Sequence, residues 1–260
     1  QSNLPLVRAL RPLVEAWRKE GYTGASETTR RLLEGWFVED HQLPNGSSFS
    51  FYHAQRTAIE HLIFCDEVLQ GRSVYQLAQK LDTAIAVKPS EDKWAKYAFK
   101  MATGSGKTMV MAMAIVWSYF NATRENRSDF SKNFVLIAPN LIVLDRLMGD
   151  SHAPEFFEGG IFKNFPFIPP EWSNNFHIDV IGPDEEREST KPSALYLLNW
   201  QKFVERENGE AENPVDALLG PTPPSDIVVS LAKLKDRLFR LHNVMVLNDE
   251  AHHVWDEGLV

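Results

Sequence analysis

The chain has 260 residues, 43% of them hydrophobic and 24% charged, with a formal net charge of -8. That is ample apolar material for one large core or two smaller ones, which excludes disorder as the default state. No stretch approaches the roughly 18 to 20 uninterrupted apolar residues that span a bilayer, and the N-terminus lacks the pattern of a secretion signal, so a soluble, cytoplasmic protein without a membrane partner is expected. The single cysteine, Cys65, excludes an intrachain disulfide and a thiolate zinc cluster. Its neighbours Ile63, Phe64 and Val68 point to core packing. The acidic balance argues against a generally basic coat for nucleic acid, although a local track needs only a few donors.

Residues 1–3 read as the remnant of an expression tag, and the stop at Val260 reads as a cut from a longer protein. Residues 4–20 bring Leu6, Leu10, Leu13, Val14 and Trp17 close to helical spacing, with Pro12 a candidate break and Gly21 an end. Ser26 is a candidate N-cap for a helix through Leu32, Leu33, Trp36 and Phe37, followed by a loop from Leu43. A third helix is expected over about 53–70, and together these helices form an N-terminal accessory segment, residues 4–90. From Tyr97 the pattern changes, and residues 91–260 are expected to form a separate α/β lobe. Residues 97–101 are a short strand candidate, and a nearly all-apolar helix follows from Met109 to Phe120. Further strands are expected at 134–138, 178–181, 194–198 and 244–247, while 205–225, rich in Glu, Asn, Gly and Pro, reads as a surface insertion. Short apolar runs separated by helical or loop segments favour an α/β fold, with a mostly parallel sheet between helices.

Between the first strand candidate and the apolar helix stands Thr103-Gly104-Ser105-Gly106-Lys107-Thr108. Two glycines let the backbone turn its N–H groups inward, and the helix start adds the positive end of its dipole. Lys107 reaches the β and γ phosphates of a bound triphosphate, and the Thr108 hydroxyl is placed to ligate Mg²⁺. The plainer reading, a glycine-rich turn that caps a helix without a ligand, is weakened by Gly-Lys-Thr standing between a strand and a helix. Met101 occupies the position where the general phosphate-loop pattern has glycine.

A second chemical segment follows the apolar run from Val244: Asn248-Asp249-Glu250-Ala251-His252-His253. Carboxylates at the carboxyl end of such a strand project into the ligand crevice of open α/β sheets. Asp249 is assigned to Mg²⁺, through water, and Glu250 to orienting or deprotonating the attacking water. A solvated acidic loop is the bland alternative. Adjacent histidines without further ligands at suitable spacing do not make a zinc site; His252 is assigned to relaying the nucleotide state, and His253 to packing or the surface.

These two segments resemble the first two motifs of superfamily two helicases with DEAH-type boxes, which implies a RecA-like ATPase lobe using ATP and Mg²⁺. The stretch from Phe51 to Glu60 resembles the one in which a Gln reads the adenine edge, so Gln55 is expected to select ATP by hydrogen-bond polarity. The run from Phe134 through Pro139 to Arg146 and the run from Leu197 through Gln201 resemble strand-end loops that grip the nucleic-acid backbone. Asn140, Arg146, Asn199 and Gln201 are the implied phosphate donors, with Trp200 either stacking on a base or buried. Taken in order from about residue 28, the motifs are similar to the Res subunit of type III restriction enzymes. That resemblance implies a DNA helicase or translocase with a second RecA-like lobe, a nuclease domain and a modification subunit as partners. An RNA helicase, a small-molecule kinase and a nucleotide-dependent binding module are the competing readings; Met101 and the acidic box weigh against the kinase.

Overall fold

The computed structural model describes residues 4–83, 95–138, 160–182, 185, 187–199, 236, 240, 241 and 243–249, and for Asn199 the backbone alone. The chain divides into two compact units, Gln1–Glu125 with Pro166–Pro169, and Asn126–Phe165 with Pro170–Val260.

In the first unit, α1 (Pro5–Lys19) starts with proline in its first turn and runs unbroken through Pro12. Proline there removes one helical hydrogen bond, but the buried stripe Leu10, Val14 and Trp17 spans it. Leu13, expected on that stripe, is 43% exposed, because an i+3 step from Leu10 combined with i+4 to Trp17 leaves it off the axis of the other three. Gly21 does end the helix, in the left-handed region at φ +69°. Ser26 caps α2 (Glu27–Phe37) as expected, its hydroxyl accepting from the Thr29 N–H at 3.0 Å. The loop from Leu43 is flanked by a minimal antiparallel hairpin, β1 (His41–Gln42) with β2 (Ser48–Phe49).

The expected third helix is two structures. α3 (His53–Ile63) passes into five residues of π-helix, Phe64–Val68, whose wider turn shows in the Leu69 N–H bonding to the Phe64 carbonyl at 2.8 Å. The wider turn buries both Cys65 and Glu67. A short α4 (Val74–Lys80), which no sequence pattern announced, is capped by Ser73. Residues 97–101 are not a strand: no strand among the described residues pairs with them, and a strand exists only by its ladder. The Tyr97 hydroxyl instead ties this segment to Asp66 and to the Gly71 carbonyl, each at 3.0 Å, and leaves Phe99 40% exposed. α5 (Lys107–Arg124) extends the expected Met109–Phe120 helix at both ends and packs on α2 and α3. Among the described residues no helix is long and apolar enough to cross a membrane.

A carboxylate lies at the centre of this unit. Glu60 on α3 has no solvent exposure and accepts from Arg18 on α1, from Arg56 one turn before it, and from the Tyr22 hydroxyl at 2.7 Å. Burial opposes its charge, but the hydrogen bonds from Arg18, Arg56 and Tyr22 outweigh that and hold the carboxyl below the usual carboxylate range. Burial, reinforced by the neighbouring Glu60, pushes Tyr22 up to about 12.

The second unit holds a four-stranded sheet in the order β4 (Ile178–Ile181), β5 (Ser193–Asn199), β3 (Asn133–Ala138), β6 (Val244–Asn248), every pair parallel. Each strand falls within one residue of its expected limits. β3 and β5 read as continuous apolar runs because both of their faces are buried: Val135, Ile181, Ala194, Tyr196 and Leu198 form one cluster, and the alternate residues Phe134, Leu136, Leu195 and Leu197 are fully enclosed, whereas β6 is an edge strand among the described residues and leaves Val246 60% exposed. Side chains fasten the connections. The Asn243 amide donates to the carbonyls of Ser128 and Phe130 and accepts from the Ser131 hydroxyl. Beyond β4, Arg187 grips Asp179 with two nitrogens, at 2.6 and 3.0 Å, and this pairing, with the Thr190 N–H, holds Asp179 well below the usual carboxylate range.

Glu60→Ala strands two arginines around a dry site and is expected to lower the unfolding free energy by about 3 kcal/mol at pH 7, read from urea denaturation. Because the folded Glu60 carboxyl titrates below its unfolded value of about 4.3, its contribution is full above that pH and drains away as the pH falls through the lower, folded value. The stability curves of Glu60→Ala and the unaltered protein are therefore expected to converge in acid.

Candidate functional site

The phosphate-loop segment is held in the turn its glycines permit. Gly104 and Gly106 both lie in the left-handed region, at φ +77° and +82°, where a side chain would be strained. Ser105 closes the turn by donating to the Ala102 carbonyl from its N–H, at 3.2 Å, and from its hydroxyl, at 2.6 Å. Gly106 is the N-cap of α5, and its carbonyl accepts from the N–H groups of Met109 and Val110. Lys107 and Thr108 occupy the first turn, where backbone N–H groups have no helical acceptor and where the dipole of the 18-residue helix favours negative charge. Thr103 and Gly104 are exposed, whereas Ser105 through Thr108 are half-buried. The turn and helix start have the donor set that a polyphosphate requires, and the Thr108 hydroxyl adds an oxygen ligand suited to Mg²⁺.

Gln55 reaches this loop from α3. Its Oε1 accepts from the N–H of the N-cap residue Tyr52 at 2.8 Å, and its Nε2 donates to the Ser105 carbonyl at 3.2 Å. The side chain is 4% exposed. It lies so close to the loop that a Cβ on Gly106 would stand 2.1 Å from Nε2. Sequence reasoning assigned Gln55 to the nucleotide base and missed this grip on the phosphate loop. Hydrogen-bond polarity carries no information about which backbone group an amide will meet, and the signal available was only the fixed place of Gln55 in the first turn of a helix.

In the second unit, Asp249 follows β6 directly, is 8% exposed, and extends the ladder with an N–H bond of 2.9 Å to the Ile137 carbonyl. Register places Ile137 opposite Asn248 and Ala138 opposite Asn199, so β3, β5 and β6 end side by side at one carboxyl rim of the sheet. The acidic box and both of the expected backbone-gripping loops therefore start from the same rim. Glu250, His252, His253, Asn140, Arg146, Trp200 and Gln201 lie outside the described residues, as does the stretch 205–225.

A family model described as the res subunit of type III restriction enzymes matches residues 48–258. The chain belongs to the type III restriction enzyme Res-subunit family. Res-family chains are helicase-like ATPases built on a RecA-like α/β lobe, and such ATPases generally use ATP and Mg²⁺. No curated protein and no solved structure shows significant similarity to this chain. The Res-family match begins at Ser48, after α1, α2 and β1.

The contact between Gly106 and Gln55 is open to a double-mutant cycle. Gly106→Ala is expected to cost about 2 kcal/mol, part from the left-handed φ and part from the clash. In a Gln55→Ala background the clash part disappears, so the penalty should shrink by about 1 kcal/mol. Thermal unfolding of the four proteins reads the coupling; strict additivity would show that the amide does not sit against the loop.

Proposed function

We propose that this chain is the ATP-binding and ATP-hydrolysing lobe of a DNA translocase or helicase in a type III restriction enzyme-like protein. The observation that carries the reading is the left-handed Gly104 and Gly106 turn leading into α5 with Lys107 and Thr108 in its first turn, in a chain of the Res family. Bound Mg²⁺·ATP supplies the electrophilic γ-phosphoryl group. Thr103 through Gly106 would wrap the phosphates with backbone N–H groups, the Lys107 ammonium would neutralise the β and γ oxygens, and the Thr108 hydroxyl would ligate Mg²⁺, with Asp249 assigned to the metal through water. Glu250 orients the attacking water and accepts its proton. His252 passes the state of the site to neighbouring groups by hydrogen bonding.

Gln55 combines two tasks in this reading. Its carbonyl oxygen has a second lone pair beyond the Tyr52 bond, and its amide nitrogen a second hydrogen beyond the Ser105 bond. Those two positions match the acceptor and the amino group on the edge of adenine, so the side chain that braces the phosphate loop also selects ATP over GTP. Asn140 and Arg146 after β3, and Asn199 and Gln201 at the end of β5, are assigned to the nucleic-acid backbone. The common rim of β3 and β5 supports that assignment. Residues 91–260 form the ATPase lobe, with 4–90 as its helical partner. A second RecA-like lobe, a nuclease domain and a modification subunit complete the assembly, which acts in the cytoplasm.

Lys107→Ala is expected to lower ATP affinity by at least tenfold, about 1.4 kcal/mol, in a titration with a fluorescent nucleotide; unchanged affinity would remove the loop from the mechanism. Glu250→Gln is expected to keep binding while slowing hydrolysis by about 10² to 10⁴. A polypeptide of these 260 residues alone should turn over slowly, because an arginine supplied in trans contributes about 10³ to 10⁵ in related NTPases. In the intact protein duplex DNA is expected to stimulate the ATPase; stimulation by RNA alone would reassign the track.

A further inference from the structure

α5 is enclosed on all sides: every residue from 112 to 121 is buried. Apolar packing of that kind resists rotation and axial slip through steric fit, but it fixes position less sharply than a hydrogen bond, which is satisfied in one geometry only. A slip of one residue would move the helix about 1.5 Å and turn it by about 100°, and either change would spoil a phosphate site that tolerates about 0.5 Å. Directional bonds supply that sharper definition of the register of α5, and the structure shows where they are. Trp117 and Asn121, one turn apart, present their polar atoms to α2 and to the π-helix. The Trp117 indole N–H is shared between the Thr29 hydroxyl and Glu67 Oε2, both at 3.1 Å. Asn121 Nδ2 donates to the Thr29 hydroxyl at 2.9 Å, and the Thr29 hydroxyl donates onward to Glu67 Oε2 at 2.7 Å. Ser26 closes the ring, its hydroxyl donating to Asn121 Oδ1 at 2.6 Å and its N–H to Glu67 Oε1 at 2.7 Å.

Thr29 is thus the meeting point of donors and acceptors from three elements and has no solvent exposure. It stands on α2, before the Ser48 at which the Res-family match begins, whereas Glu67, Trp117 and Asn121 stand inside the match. We propose that α2 is a working part of the nucleotide site: through Thr29 and Glu67 it sets the axial and rotational register of α5, and so positions Lys107 and Thr108. The π-helix serves the same end. Its extra residue per turn turns Glu67 inward at the point where a carboxylate can bind both the capped start of α2 and the indole of α5. Thr29 and Glu67 are positioning residues, since they act through α5 and touch no substrate.

The proposal rests on the reading that the loop takes a triphosphate, and the test separates the two. Fluorescent ATP-analogue affinity, with Mg²⁺ present, is measured on the full chain for five variants at a temperature where near-ultraviolet circular dichroism shows each to be folded. Thr29→Val keeps the shape and deletes the hydroxyl; it is expected to weaken binding about tenfold. Thr29→Ser restores the hydroxyl and should recover most of the affinity. Leu77→Ala truncates a buried side chain on α4 that contributes no atom to the ring, and is expected to lower the melting temperature while leaving affinity within about twofold. Trp117→Phe removes a single donor and carries the test should Thr29→Val fail to fold, with a loss of about threefold expected. If Lys107→Ala loses binding and neither Thr29→Val nor Trp117→Phe does, the positioning role is wrong and the phosphate reading stands. The positioning role is equally wrong if Leu77→Ala weakens binding as much as they do. If Lys107→Ala binds as well as the unaltered chain, both fall together.

Discussion

A helix buried on every side is placed by apolar contact only as tightly as its shape fits its surroundings, and α5, whose residues 112–121 are all buried, is such a helix. Its two ends are fixed by polar groups from elsewhere in the first unit: Gln55 against the Ser105 carbonyl at the loop end, and the Thr29, Glu67 and Asn121 ring toward the other. The Thr28 N–H, bonded to Glu125 at 2.9 Å, pins the residue that follows the last turn. These bonds are individually modest, but they are made in a dry interior where an unmade one is costly. The placement of Lys107 and Thr108 follows from them.

Buried charge plays a related part. Glu60 and Glu67 follow Gln55 along one continuous helical run, and both are buried. Glu60 joins α3 to α1 through Arg18 and Tyr22, and Glu67 joins the π-helix to α2 and α5. A desolvated carboxylate satisfied by several donors costs a great deal to misplace, so it specifies one arrangement of helices where leucines would accept several. In the second unit the corresponding constraint is the parallel ladder, which sends every strand's carboxyl end to the same rim and gathers Asp249 with the starts of two loops.

Local signals were legible in the sequence wherever the physics is local. Ser26 caps α2 because a hydroxyl can reach the N–H three residues on; Gly104 and Gly106 turn left because they lack a Cβ; the apolar runs near 134, 178 and 194 are strands largely enclosed by the fold, and the run near 244 is an edge strand among the described residues, with Val246 60% exposed. Residues 97–101 misled because alternation and β-propensity describe a segment that can pair, not one that does. Leu13 misled because helical spacing admits several stripes and only packing selects one. The π-helix had no pattern to read, since its extra residue is stabilised by what Glu67 meets on α2 and α5.

The residue types and spacings thus determined by themselves the left-handed turn at Gly104 and Gly106, the Ser26 cap, the α/β class and the parallel strands, because glycine conformation, helix capping and hydrophobic period operate within a few residues. Only the tertiary structure decided that Gln55 braces the loop, that Glu60 and Glu67 are enclosed, and that α2, some 90 residues before its partner Asn121, belongs with α5. Such contacts depend on which surfaces meet after distant segments have folded back, and no local rule encodes a hydrogen bond across that separation.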